Sequence, residues 1–263
     1  MFRNITPVVQ NLLIANIALF VVSAYIFPQL NQWFALYYIH SRYFQPFQFL
    51  TYMFMHADFW HLLSNMFGLF IFGPLLEQFL GPKKLLILWM VCGIGSGVLY
   101  SGYTAYRMDN LKDKVEVFEN NPTPDAFNKL VLQNRTFFKS TVFDFVNDFS
   151  RNPSDPNKIS QAKQTLNAIV EIQANIPMVG ASGAMFGVLI AFGMLFPNTE
   201  LFLLFLPMPI KAKYFVLIYG LYTVYNVVIN NPTDNVAHFA HLSGLAIGAI
   251  LVYRWKKDRT NFY

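Results

Sequence analysis

Runs of apolar residues about twenty long recur along this chain, and a run of that length can cross the roughly 30 Å hydrocarbon core of a bilayer as an α-helix. Six stand out, at 8–27, 59–80, 85–106, 179–196, 213–230 and 236–253. Inside lipid every backbone polar group needs a partner within the structure, so runs of this kind fold as helices. Composition agrees: only 13% of the 263 residues are charged, against about 25% in a soluble domain. The fold class expected is therefore all-α, a polytopic membrane protein built as a six-helix transmembrane bundle. One arginine precedes the first run, Val8 to Phe27, as in a leader peptide, but no small-x-small cleavage site follows. It reads as a retained helix. The fifth run is the most polar, carrying Tyr219, Tyr222, Thr223, Tyr225 and Asn226.

Charge sets the orientation. Arg3, Lys83, Lys84, Lys211, Lys213, Arg254, Lys256, Lys257 and Arg259 fall on one side of the six runs, and the short loops of the other side carry only Arg42. This is the positive-inside pattern, which predicts that both termini are cytoplasmic. The net charge of +5 is accounted for by that asymmetry. No contiguous basic patch supports a nucleic-acid surface, so the lipid bilayer is the expected partner and nucleic acid is not. The single cysteine, Cys92, lies in an apolar run, so no internal disulfide can form. The lack of a long targeting segment points to a bacterial cytoplasmic membrane.

Two apolar segments are too broken to cross. Gln29–Leu50 contains Trp33, Tyr37, Tyr38, Tyr43 and Phe49 and is interrupted by Pro46, a composition suited to the headgroup level. Leu201–Ile210 is short, contains Pro207 and Pro209, and is expected along the cytoplasmic surface. Residues 107–177 differ in kind. Over 105–178 there are nine Lys/Arg and nine Asp/Glu, with apolar residues at helical spacing in 125–150 and again in 158–173. That pattern predicts an extracytoplasmic insertion of two or three amphipathic helices, a packing or docking appendage.

Polar residues within spans are costly and therefore mark candidate sites. Gly180-Ala181-Ser182-Gly183 opens the fourth run, and the small neighbours leave the Ser182 hydroxyl uncrowded. The competing reading is helix packing, because Gly183 and Gly187 form a small-xxx-small pair. His238-Phe239-Ala240-His241-Leu242-Ser243-Gly244 opens the sixth run, with Gly248 one turn on. If the two glycine faces touch, a histidine there can reach Ser182 and act as the base that makes a hydroxyl nucleophilic. A buried structural histidine or a metal or haem ligand fits equally well. His56, His61 and Asn65 lead into the second run, the last two sharing a helix face at four-residue spacing. Such donors can hold a developing oxyanion, and a transporter or haem protein can use the same side chains.

All three clusters fall at one depth in the charge-derived topology, at the extracytoplasmic ends of their runs. The chain has neither a HExxH motif nor paired intramembrane aspartates, which turns the reading from metallo- and aspartyl chemistry toward a serine nucleophile. Asp234 as a third member of a triad is disfavoured by its turn setting beside Pro232. A Ser–His dyad is the arrangement favoured.

These residues resemble the rhomboid family of intramembrane serine proteases. The resemblance is carried by GASGAMFG around Ser182, AHLSG around His241, HADFWHLLSNMF from His56 and GPLLEQFLG at 73–81, in one order along residues 8–104 and 179–253. It implies a catalytic Ser182 with His241 as general base, and an oxyanion hole of His61, Asn65 and the Ser182 backbone N–H. Phe186 corresponds to the aromatic that packs on the catalytic histidine, and Gly180, Gly183, His56 and Gly244 are supporting positions. The fifth run and the turn Asn231–Val236 correspond to the lateral gate and cap through which a substrate helix enters. The Trp-Arg pair common in the family's first loop is Phe47-Gln48 here, a departure that leaves open what anchors that loop. The insertion at 107–177 is outside the shared core and is placed to influence substrate approach.

The resemblance thus implies a serine endopeptidase acting on single-pass transmembrane proteins, with no metal and no cofactor. A small residue before the scissile bond and an unstable substrate helix would favour cleavage. The alternative is a catalytically silent relative that binds membrane helices in quality control. A haem or metal-ion protein would instead show a chromophore or bound metal.

Overall fold

The computed structural model describes residues 5–202, 208–229 and 236–259, which form a helical bundle. Arg3, Pro207, Pro232 and Asp234, most of the Asn231–Val236 turn and the Arg259 side chain lie outside what is described. The helices are α1 (Pro7–Val21), α2 (Gln29–Phe34), α3 (Gln48–Thr51), α4 (Phe59–Leu80), α5 (Pro82–Asn120), α6 (Pro124–Gln133), α7 (Thr141–Arg151), α8 (Pro156–Ala174), α9 (Ser182–Leu195), α10 (Ala212–Ile229) and α11 (His238–Arg259). By length and composition four described helices can cross a membrane: α1 with its π-helical extension to Ile26, α4, α5 and α10. The apolar α9 is shorter, at 14 residues.

Local chemistry fixes the helix ends. The Asp58 carboxylate caps α4 by accepting from the His61 backbone N–H at 2.8 Å. Gly81, at φ +84°, ends that helix in a conformation that L side chains rarely adopt, and Pro82 starts α5 with a residue that needs no N–H donor there. At the start of α1 the N–H groups that lack an intrahelical acceptor find a partner from another helix. Glu77 of α4 is buried and accepts from Val8 N–H at 3.1 Å and Val9 N–H at 3.0 Å. Each terminal N–H lacks an intrahelical acceptor, so this carboxyl group ties α1 to α4 where water cannot. Glu77→Ala is expected to cost about 2–3 kcal/mol by leaving both donors unsatisfied. Denaturation of the purified protein in micelles measures it, and an unchanged midpoint would remove Glu77 from the fold's supports.

Glycine lets α5, α9 and α11 meet at backbone distance. A Cβ on Gly244 of α11 would overlap the carbonyl oxygen of Gly183 on α9, and one on Gly248 would lie 2.9 Å from Gly187 Cα. A Cβ on Gly183 would lie 2.6 Å from Ser96 Cβ on α5. Small residues give such seams because dispersion between close backbones drives helix association where lipid offers no hydrophobic gain. At one end of this seam stand the start of α1, the α4–α5 turn and the end of α11, where Lys84 sits 5.5 Å over the Trp255 ring.

The segment from 29 to 58 is more than an interfacial apron. Trp33 and Tyr43 are exposed, but Tyr37, Tyr38, Tyr52, Met53 and Met55 are buried. Leu36 and Met178 exchange both backbone hydrogen bonds, at 2.9 and 2.8 Å, and the Gly180 N–H donates to the Tyr52 carbonyl at 3.0 Å. The loop thus holds the strand that leads into α9. Its polar anchor is present despite the Phe47-Gln48 departure. Gln48 is buried and donates to the Trp33 and Tyr43 carbonyls at 3.0 and 2.9 Å, while its oxygen accepts from Tyr37 and Gln45 N–H. One carboxamide meets four backbone groups, so Gln48 itself anchors the loop.

Between α9 and α10 the described ends of the connection pair as strands β1 (Glu200–Leu201) and β2 (Ile210–Lys211), antiparallel, with Glu200 opposite Lys211. The third apolar run differs from expectation. It does not end at 106; α5 continues without a break to Asn120. Its distal half joins α6, α7 and α8 around a second core of Leu111, Val115, Phe118, Phe127, Val131, Phe149 and Leu166. The polar stretch is therefore a small helical domain built on a rigid extension of the bundle.

Candidate active site

Three helices begin beside one another at the inner end of a large cavity. Ser182 is the first residue of α9, His241 lies in the first turn of α11, and His61 lies in the first turn of α4. Ser182 Oγ and His241 Nε2 are 2.8 Å apart. With that nitrogen unprotonated the serine hydroxyl donates to it, which is the geometry a general base needs. The residues are 59 apart in sequence and are brought together by the Gly183–Gly244 contact immediately below them.

The imidazole of His241 is held by aromatic packing. Phe186, one turn after Ser182, stacks on it with centroids 4.2 Å apart and planes at 14°. On its other face Phe186 stacks on Tyr219 of α10 at 5.2 Å, so the ring order runs from α11 through α9 to α10. Stacking of this kind limits rotation of the imidazole about its side-chain bonds. His238 meets His241 edge-on at 5.8 Å and Tyr222 at 6.0 Å.

The opposite wall supplies hydrogen-bond donors. The N–H of Ser182 is at the start of α9, where no intrahelical acceptor exists and the helix dipole presents its positive end. An anion next to Ser182 is stabilised by that end, as at other helix N-termini. The His61 ring packs against Gly180: a Cβ there would lie 2.5 Å from His61 Cε1 and 2.6 Å from Nε2. Gly180 is also at φ +120°, so both space and backbone conformation require glycine. Asn65 is buried next to the cavity and donates to the His61 carbonyl of its own helix at 3.0 Å, using one of its two amide hydrogens. His61, Asn65, Ser182, Phe186 and His241 all line the same cavity, of about 1560 Å³. Its wall also includes Phe72 of α4 and Phe215 of α10.

His56 does not face the cavity. It is 1% exposed and meets the His61 ring edge-on at 5.2 Å. Burial, with the His61 ring adding to it, pulls its pKa from 6.5 down to about 3. The unfolded chain therefore binds a proton there that the folded chain excludes between those values. Stability from this group is complete above about pH 6.5 and is lost as the pH falls toward about 3. The melting temperature in micelles is expected to drop between neutral and mildly acidic buffer, and to drop less in His56→Phe. An equal drop in both proteins would place the acid-sensitive group elsewhere.

Sequence reading passed over Gln48, Glu77 and Tyr219 without giving any of them a role. Glu77 carried a signal, a carboxylate inside an apolar run, but its partners are backbone groups that no side-chain pattern reveals.

The family model described as Rhomboid domain matches residues 43–112 and 160–257. RHOMBOID-like protein 12, mitochondrial, of Arabidopsis thaliana is 26% identical over 216 residues. The aligned part is 81% of this chain and 47% of that protein, so the chain spans about half the length of this relative.

Proposed function

The chain belongs to the rhomboid family of multi-pass membrane proteins, and from that premise we propose that it is an intramembrane serine endopeptidase working through a Ser182–His241 dyad. The observation that carries the reading is the 2.8 Å approach of Ser182 Oγ to His241 Nε2 at the start of α9. In this mechanism a single-pass membrane protein enters between α4 and α10 and unwinds beside Ser182. Unwinding is required because an intact helix hides its carbonyls in internal hydrogen bonds. His241 accepts the serine proton as Oγ attacks the scissile carbonyl. The oxyanion is held by the Ser182 N–H, by His61 and by the free amide hydrogen of Asn65. His241 then protonates the leaving amine, and water hydrolyses the acyl-enzyme by the same steps in reverse.

The orientation follows from charge. Six crossings, with both termini on the cytoplasmic side and the site and polar insertion on the other, satisfy the distribution of Lys and Arg. A bacterial cytoplasmic membrane is the setting proposed, although the relative named above is mitochondrial. Labelling with a fluorophosphonate, which reacts with activated serines and needs no knowledge of the substrate, tests the reading. Wild type is expected to be labelled at Ser182, and Ser182→Ala or heat-denatured protein is not. Absence of label, together with binding of membrane helices, would instead support a silent helix-binding relative.

A further inference from the structure

The cavity that holds Ser182 does not end at the bundle. It runs on to Arg107, Asn110 and Lys114 of the α5 extension and to Gln133 of α6. Tyr103, Arg107, Asn110 and Lys114 are spaced four, three and four apart, so they share one helix face. From Tyr103 to Lys114 that face is about 16 Å long at roughly 1.5 Å per residue. An extended peptide covers the same distance with about five residues at roughly 3.3 Å each. The far part of this wall belongs to residues 113–159, which the family match leaves out.

The wall is cationic. Arg107 and Lys114 are exposed, and among the described residues neither is ion-paired with a carboxylate. Arg107 is held 5.8 Å over the Tyr103 ring, and Lys114 is 3.4 Å from the Gln133 carboxamide oxygen. Asp109, Asp113 and Glu116 of the same helix are not part of the cavity wall. The carboxylate that is, Asp58, is occupied in capping α4. Two cations on one helix face, neither ion-paired among the described residues and with the Asn110 amide between them, suit an anionic extended chain.

Resting on the protease reading above, we propose that this face of α5 is an exosite for an acidic, extended segment of the substrate, the stretch that leaves its membrane helix on the insertion's side. The segment lies along Tyr103–Lys114 with its carboxylates on Arg107 and Lys114, and it draws the adjoining membrane helix toward Ser182. The insertion then selects substrates by what lies outside the bilayer, while the bundle reads what lies inside.

The test uses the full chain in neutral-detergent micelles and three substrates with one membrane segment. Their five flanking residues on the exosite side are acidic, neutral or basic. Wild type is expected to cleave the acidic substrate with kcat/KM about tenfold above the neutral one, chiefly through KM, with the ratio shrinking at high salt. In the double variant Arg107→Glu, Lys114→Glu the acidic preference should vanish and the basic substrate should become the best. Arg151→Glu, an exposed change on α7, none of whose residues belongs to the cavity wall, should keep the wild-type order. Equal kcat/KM for all three substrates with wild type would overturn the exosite and leave the protease reading standing. The exosite would equally fall if the preference survived in the double variant. If rates instead rose with anionic lipid in vesicles for every substrate alike, the wall would be meeting headgroups, and the proposal would be wrong. Failure of wild type to cleave any of the three would remove the protease reading, and the exosite with it.

Discussion

Ser182→Ala and His241→Ala each lower cleavage of a transmembrane substrate by at least about 10³-fold, and combining them adds little further loss. The non-additivity follows from the geometry. A nucleophile and its base 2.8 Å apart act as one device, so removing either disables both. Ser182→Ala deletes a single oxygen from a half-buried position, and the fold should be unaffected. His241→Ala also removes one ring from the stack with Phe186, so some stability is lost along with the base. His241→Gln fills more of that space and still lacks a usable base, which separates the two effects. The measurement is product formation in micelles by quantitative gel analysis, with helicity and melting recorded for each variant. Wild-type rates in either single variant would place the chemistry at another residue. The residual rate, if any, reports what the Ser182 N–H, His61 and Asn65 contribute without the dyad.

What could be read from the sequence, and what could not, divides by range. α4 was visible because its apolar run, 59–80, is a local signal, and the helix Phe59–Leu80 fills it between the Asp58 cap and Gly81. The cluster around Ser182 was visible because small residues flanking a serine are unusual at the mouth of a span. The length of α5 was not. Composition changes near residue 106, but nothing there breaks a helix until Asn121-Pro122, so a change of environment resembled a change of element. That error had a consequence for function, since the unbroken helix is what carries Arg107 and Lys114 to the cavity wall. The part played by Gln48 stayed hidden for a different reason. Its role is to bond backbone groups at Trp33, Tyr37, Tyr43 and Gln45, and a carboxamide can do this where a different polar side chain was expected. Glu77 shares the difficulty, because the N–H groups it caps belong to a helix nearly seventy residues away. Partners that are backbone leave no pattern in the side chains.

Gly244→Ala is expected to be nearly as damaging to activity as loss of the dyad, although it touches neither catalytic atom. The added Cβ would overlap the Gly183 carbonyl oxygen and lie 2.9 Å from its carbon, with Ser96 Oγ at 3.2 Å. Both near atoms of Gly183 are backbone, so no rotamer change relieves the clash and α9 must part from α11. Ser182 precedes Gly183 directly, and His241 is one turn before Gly244, so the hydrogen bond between them spans the seam being opened. A displacement of about 1 Å can cost on the order of 10²-fold in rate, and overpacking a tight contact costs about 1–3 kcal/mol of stability. Gly102→Ala on α5 is the control. Nothing lies within 4 Å of the Cβ it would add, and alanine is the better helix former by about 1 kcal/mol. It should melt no lower than wild type and cleave at the same rate. If Gly244→Ala lost stability but kept its rate, the dyad distance would be set by the Phe186 stack rather than the seam. A variant unchanged in both would mean that α9 and α11 are not in backbone contact in the membrane. Loss of both ties the serine–histidine distance to one missing methyl group.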